Sequence, residues 1–267
     1  MSMTSVFSDL HLCFQPVSGK TISDYICKDT PKEVNICILD GDIGMIKNHT
    51  TINTNPLLNE LKKFCDRFEY VIYVHGNHEY YRNTITQGQK DFQKKVLSKL
   101  SNLHWLNNDV VVIEGQRFLG CTLWAKVPEP TNIDPVKFSS TLWKAKHYQK
   151  FNCFDQIGDL ATIIESEHDK SVSFIKNNLQ NNDVLITHFP AVSFVGNPKF
   201  NNDKTNWYYR NNLDEFILGK DPKLVISGHS HHSVDRKIGE TRFLTNPFGY
   251  FRREENQEFK TDLTVEI

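Results

Sequence analysis

The chain has 267 residues, 39% hydrophobic and 24% charged, with 31 Lys and Arg against 32 Asp and Glu and a formal net charge of -1. That balance suits a folded globular protein and excludes a long charged, disordered chain; it gives no overall attraction to nucleic acid or to an anionic membrane. No apolar run approaches the roughly 20 residues of a membrane span. The segment Met1 to Phe7 has neither the basic stretch nor the apolar core of a signal peptide. The six cysteines show no Cys-x-x-Cys spacing, so a reduced, cytoplasmic setting is expected.

Short β-branched and aromatic runs alternate with helical patterns, an α/β signature. Met3 to Phe7 predicts a first strand, Val34 to Leu39 a buried second and Tyr70 to Val74 a third. Leu57, Leu61, Phe64 and Phe68 recur at helical spacing behind Pro56, and Gln87 to Leu100 predicts another helix. Val110 to Ile113 and Arg117 to Cys121 flank Glu114-Gly115-Gln116 as a hairpin. Ile157 to Leu179 reads as helix, Val184 to Thr187 and Leu224 to Ser227 as strands, and Ser233 to Ile238 with Thr241 to Thr245 as a second hairpin. Without repeats or a low-complexity linker, one domain over 1–267 is expected. Its irregular stretches near 126–154 and 189–212 are long enough to carry substrate contacts.

The chemistry sits at strand ends. Asp9-Leu10-His11, Gly41-Asp42, Gly76-Asn77-His78-Glu79, His188 and Gly228-His229-Ser230-His231 each follow a predicted strand. In α/β sheets functional groups gather outside the carboxyl ends of the strands, so the five segments should meet at one edge. Carboxylate, imidazole and amide oxygen donors suit Mn, Fe, Zn or Mg, and the missing thiolate cluster argues against a structural zinc. Glycine before Asp42, Asn77 and His229 would allow sharp turns. Two cations sharing Asp42 could clamp a phosphoryl group and stabilise both the attacking and leaving oxygens.

These segments, in this order from Asp9 to His231, resemble the calcineurin-like metallophosphoesterase superfamily. The resemblance implies a four-layer αββα sandwich, two mixed β-sheets flanked by helices, with the active site at one edge. It assigns Asp9, His11, His231 and Asp42 to one metal, and Asn77, His188, His229 and the bridging Asp42 to the other. His78 becomes the general acid at the leaving oxygen. Two divalent ions are implied, Mn²⁺ first, with Fe, Zn, Ni or Mg as alternatives. Protein Ser/Thr phosphatases of this superfamily follow Gly-Asp with a further Asp and then Arg-Gly, whereas Gly41-Asp42 runs into Ile43-Gly44-Met45-Ile46. Met45 thus leaves the partner of His78 unidentified and disfavours a protein phosphatase. The intact Gly228-His229-Ser230-His231 resembles instead the branch of small-molecule phosphatases, phosphodiesterases and nucleases. Its flanks, including Asn246-Pro247-Phe248-Gly249-Tyr250, look like a bacterial and phage group.

The expected activity is dinuclear metal-dependent hydrolysis of a small phosphoester or nucleotide by in-line attack of a metal-bridging hydroxide, as a phosphodiesterase or nucleotide-directed phosphatase. A metal-dependent nuclease is the alternative, weakened by the absence of a basic track, and a non-catalytic protein-interaction scaffold is the alternative of another class. Tyr80 and Arg82 are candidates for the phosphate pocket. Tyr208 and Arg210, within Trp207-Tyr208-Tyr209-Arg210, are candidates for base stacking or for a packed loop anchor. His49, His104 and His168 lie outside the motifs and are expected at the surface; His75 and His232 adjoin ligand positions as hydrogen-bonding neighbours rather than ligands.

Overall fold

A computed structural model describes residues 2–16, 19–46, 56–81, 83–126, 157–202 and 206–267. Its first sheet has strand order β13-β1-β2-β3-β4, built from β1 (Met3–Phe7), β2 (Ile36–Asp40), β3 (Tyr70–Val74), β4 (Leu103–Leu106) and β13 (Thr264–Glu266). The four strands β1 to β4 run parallel, and β13 closes the edge antiparallel to β1. The second sheet has order β5-β6-β7-β8-β10-β9, from β5 (Asp109–Ile113), β6 (Gln116–Cys121), β7 (Val184–Thr187), β8 (Leu224–Ser227), β9 (Val234–Ile238) and β10 (Thr241–Thr245). Both sheets are mixed, and both expected hairpins form: Ile113 pairs with Gln116 and Ile238 with Thr241. Glu114 and Gly115 hold the first turn with φ of 52° and 83°, the positive pair a tight hairpin uses.

Alternation along the strands produces the layers. Val6, Ile36, Ile38, Ile72 and Val74 of the first sheet meet Phe118, Val184, Ile186, Leu224 and Ile226 of the second in one apolar core. The intervening residues Cys37, Leu39, Val71, Tyr73, Leu185 and Val225 join helix-borne side chains in another. The helices are α1 (Ile22–Asp29), α2 (Pro56–Arg67), α3 (Ile85–Lys95), α4 (Ile157–Asn178) and α5 (Asp214–Lys220). Helix α2 contributes Leu57, Leu61 and Phe64, α3 Phe92, and α4 Ile164 and Ile175. A strand apolar on both faces reads as a continuous run, which is why β2 and β7 stand out in the sequence.

The boundaries shift where local geometry overrides the pattern. The helix expected to reach Leu100 stops at Lys95, because Val96 turns out with φ -121° and a short 3-10 turn, Leu97–Lys99, follows. The stretch 127–156, including most of the first expected loop insertion, and His49 lie outside the described residues. His168, expected at the surface, is buried on α4, with Nδ1 3.1 Å from the Leu123 carbonyl. His104 lies in β4, part-buried against Tyr70. No helix among the described residues is long and apolar enough to cross a membrane.

Candidate metal centre

The carboxyl ends of β1, β2, β3, β7 and β8 carry the donors, and a polar web joins them across the two sheets. Asp9 N–H donates to the Gly41 carbonyl at 3.0 Å, and Gly228 N–H to the His188 carbonyl at 3.0 Å. The Asp9 carboxylate accepts the His229 N–H at 3.1 and 3.0 Å. The Asp42 carboxylate accepts the His78 N–H at 2.7 Å. Five donor residues, Asp9, His11, Asp42, His229 and His231, have φ between 46° and 62°. That left-handed backbone costs a non-glycine residue about 1–2 kcal/mol, and such strain persists only where the surroundings impose it.

The expected role of the glycines needs revision. Only Gly41 among the three has positive φ, 75°. A Cβ on Gly76 would stand 2.6 Å from the Asp42 nitrogen and 2.7 Å from His188 Nε2; one on Gly228 would stand 2.7 Å from Asp9 Oδ2. Close approach of neighbouring ligand loops, rather than a turn, requires glycine at 76 and 228.

Ligand atoms gather in three overlapping groups, each within 4.8 Å: Asp9, His11 and His231; His11, Asp42 and His78; and Asp42, His188 and His229. All are buried except His231, which is slightly exposed. Hydrogen bonds on the far ring nitrogens aim the imidazoles. His188 Nδ1 lies 2.9 Å from the Asp40 carbonyl, which turns Nε2 inward, and His229 Nε2 lies 3.1 Å from the Tyr208 carbonyl, which leaves Nδ1 for the interior. His188 Nε2 and Asn77 Oδ1 are buried without a hydrogen-bond partner, and His11 Nε2 meets His231 Nε2 at 3.0 Å. Buried polar atoms are normally satisfied, so divalent cations fit as the missing partners of His188 Nε2 and Asn77 Oδ1, and His11 and His231 converge with Asp9 in a second group of the same kind. The mixed nitrogen and oxygen set fits the same ions.

Protons balance this centre electrostatically. Burial lowers the affinity of His188 for a proton, but the Asp42 carboxylate, with Oδ1 3.4 Å from Nε2, more than offsets it and raises its pKa to about 10. His231 is likewise opposed by burial and raised to about 9 by Asp9 and Glu254. Asp9, penalised by burial, falls to about 2 through His231, and Asp42 falls well below the carboxylate range beside His78 and His188. Burial lowers the proton affinity of His78, to about 4, and of His229, to about 3.

Glu79 was not singled out in the sequence, and it is the clamp of the site. Its Oε1 accepts from Ile43 N–H at 2.8 Å, Gly44 N–H at 3.2 Å and the Tyr73 hydroxyl at 2.7 Å; Oε2 accepts from Asp42 N–H at 3.0 Å and Gly76 N–H at 2.8 Å. One buried carboxylate thereby ties the Asp42 loop to the Asn77 loop. Burial and the nearby Asp42 push its pKa up to about 7, while the Tyr73 and backbone donors oppose that rise. Its place directly behind Gly-Asn-His was the available signal. Tyr250 was also passed over as a site residue: its ring stacks on His11 at 4.3 Å and its hydroxyl lies 3.1 Å from His78 Nε2.

The substrate candidates fall differently. Tyr80 is core instead of pocket wall: it is 1% exposed, its hydroxyl meets His75 Nδ1 at 2.9 Å and its ring packs on Trp124. Its neighbour Tyr81 is the ring that covers His78, at 3.8 Å. Arg82 lies outside the described residues. Tyr208 is buried, edge-on to Phe189 and His229. Arg210 donates to the Ser193 carbonyl at 3.1 Å and faces Asn201 Oδ1 at 3.4 Å, a loop anchor. Tyr209 is the member of that run with an exposed ring at the site, stacked on His229 at 5.3 Å.

The family model for calcineurin-like phosphoesterases matches residues 5–233. The chain belongs to that family. It is a phosphoric ester hydrolase, and its buried His and Asp groups are consistent with a dimetal site. An uncharacterised protein of Acanthamoeba polyphaga mimivirus is 26% identical over 281 residues, 96% of this phosphoesterase and 94% of the viral protein. The crystal structure of phosphopantetheinyl hydrolase from Mycobacterium tuberculosis superposes with a TM-score of 0.70 at 14% identity, over 100% of this chain and 95% of that one. That likeness carries the fold of the phosphoesterase, two mixed sheets flanked by helices.

Proposed function

We propose that this phosphoesterase hydrolyses a small phosphodiester or a nucleotide at a dinuclear centre. Asp9, His11, Asp42 and His231 would hold one cation, and Asp42, Asn77, His188 and His229 the other, with Asp42 shared. Bound there, the two ions supply charge neutralisation for phosphoryl oxygens and a nucleophile at neutral pH. The observation that carries this reading is the buried grouping of Asp42, His188 and His229 beside that of Asp9, His11 and His231, with His188 Nε2 left without a hydrogen-bond partner.

The protein's own groups take the remaining roles. His78, with Nε2 3.7 Å from Asp42 Oδ2, stands beside the shared carboxylate and would deliver a proton to the leaving oxygen. The exposed rings of Phe14 and Tyr209 rim the site, Phe14 edge-on to His78 and Tyr209 flat on His229. Such faces favour a flat or apolar leaving group, a nucleobase among them. A nucleic-acid track gains no support from Arg210, which is committed to its own loop.

The test is a panel of mononucleotides, cyclic nucleotides, dinucleotides, sugar phosphates and mono- and bis-nitrophenyl phosphate, assayed with Mn²⁺ and other divalent ions. Preference for the bis ester or for a nucleotide supports the proposal. Salt-sensitive cleavage of single-stranded nucleic acid above all small esters would promote the nuclease instead. Neither turnover nor bound metal would sink the catalytic reading and leave a scaffold.

A further inference from the structure

The ribbon of β11 (Gly249–Tyr250) and β12 (Glu254–Glu255) lies beyond residue 233, where the family match ends. It is nevertheless fastened to the first ligand loop. Phe248 N–H donates to the Ser8 carbonyl at 3.1 Å and Gly249 N–H to the Asp9 carbonyl at 3.0 Å, while Asn246 Nδ2 donates to the Val6 carbonyl at 2.8 Å. Gly249 has φ 87°, and a Cβ there would collide with the Glu254 carbonyl. The chain therefore enters the ribbon through a conformation open only to glycine.

This anchoring delivers Tyr250 to the centre. Its ring lies nearly parallel to His11, 18° between planes, and its hydroxyl reaches His78 Nε2 at 3.1 Å. Tyr81 covers the His78 ring, 27° from parallel, and His78 Nδ1 is buried with no hydrogen-bond partner among the described residues. At Met45 the Asp42 loop offers no carboxylate. Stacking alone leaves an imidazole free to rotate within its plane. The Tyr250 hydroxyl is the polar contact to a ring nitrogen that opposes that rotation, apart from the longer 3.7 Å approach of Asp42.

We propose that Tyr250 is the positioning residue of His78: its hydroxyl, fixed by the stack on His11, holds Nε2 in line until the leaving oxygen takes its place there, and so presets the orientation of the His78 ring. The role rests on the reading of His78 as proton donor. A phenol that only filled space would be replaced by phenylalanine at no cost to His78. A positioning hydroxyl would not.

The experiment compares wild type, Tyr250→Phe, His78→Ala and the double variant, each zinc-loaded. Phenylalanine keeps the stack on His11, so Tm and the metal-to-protein ratio of Tyr250→Phe should match wild type. Long-range ¹H–¹⁵N spectra should show the His78 ring nitrogens shifted in Tyr250→Phe. Its kcat on an alkyl or phenyl ester should fall about tenfold, at unchanged KM, and much less on a dinitrophenyl ester that needs no proton. In the His78→Ala background the hydroxyl should make no difference, since a residue acting through another has no effect once that one is gone. Unchanged His78 spectra, or an equal loss in the His78→Ala background, would overturn the proposal. If instead His78→Ala slows all leaving groups alike, the acid role of His78 fails, while the spectra still decide whether Tyr250 holds its ring.

Discussion

Replacing Glu79 with glutamine changes one oxygen for an NH₂ group at nearly constant volume, in a place where every backbone partner donates. The best orientation of the amide keeps its oxygen on the Ile43, Gly44 and Tyr73 donors and turns NH₂ toward the Asp42 and Gly76 N–H groups, now 3.0 and 2.8 Å from a donor. Two buried N–H groups lose their acceptor. At about 1–3 kcal/mol for each buried group left unsatisfied, the loss is about 2–6 kcal/mol. That is a large share of a total stability of about 5–15 kcal/mol. For a chain of this size a loss of that order lowers Tm by about 5–20 °C. Because the two orphaned N–H groups belong to the loops that carry Asp42 and Asn77, metal affinity should fall as well. Calorimetry and metal titration of Glu79→Gln beside wild type check both. A melting point within about 1 °C of wild type, with both ions bound as tightly, would refute the clamp.

Asp42→Asn should abolish activity and weaken both metals, measured by plasma emission on dialysed protein; a full metal pair would refute sharing at this carboxylate. His78→Ala should retain both metals and lose most rate on esters with poor leaving groups, and uniform slowing would count against proton donation. Metal uptake should release protons, because His188 and His231, raised to about 10 and about 9 beside Asp42 and Asp9, must shed theirs to ligate. Apparent affinity should therefore rise with pH from 6 toward about 9, and calorimetry in buffers of different ionisation enthalpy that found no proton release at pH 7 would contradict this balance. Gly76→Ala should lose metal binding, since its Cβ would press on the Asp42 nitrogen and His188 Nε2; a variant that still bound two ions would show that the loops can part.

The strands that carry donors were legible because each is an apolar run cut off by a polar motif. β2 gained only Asp40 over its expected end, and β7 and β8 kept theirs. Elements that depend on pairing were not legible. β13 has three residues, and it is a strand because Val265 and its neighbours lie against β1. Helix α1 escapes a reading by apolar periodicity, although Thr21 and Asp24 form a capping box at its start, a local signal present in the sequence. Helix α5 is two turns long and stabilised by packing of Ile217 more than by pattern. At the site, the gathering of the donors at one edge could be read from motif order. The clamp could not, because Glu79 sits inside a motif already accounted for by its neighbours. Nor could Tyr250, whose approach to His78 depends on a ribbon folding back on the Asp9 loop. Tyr80 misled for the opposite reason: adjacency to His78 in sequence sends its side chain to His75 and the core, while Tyr81 meets the ring.

The left-handed backbone at Asp9, His11, Asp42, His229 and His231 has a consequence for anyone who tries to harden this protein against heat. Each of these positions resists its own side chain, and glycine or asparagine there would relax the chain. A screen that rewards melting temperature alone can therefore select against the donors wherever the relieved strain outweighs the hydrogen bonds their side chains make. Stabilisation is better sought on the helices and the outer strand edges, with the five strained positions held fixed.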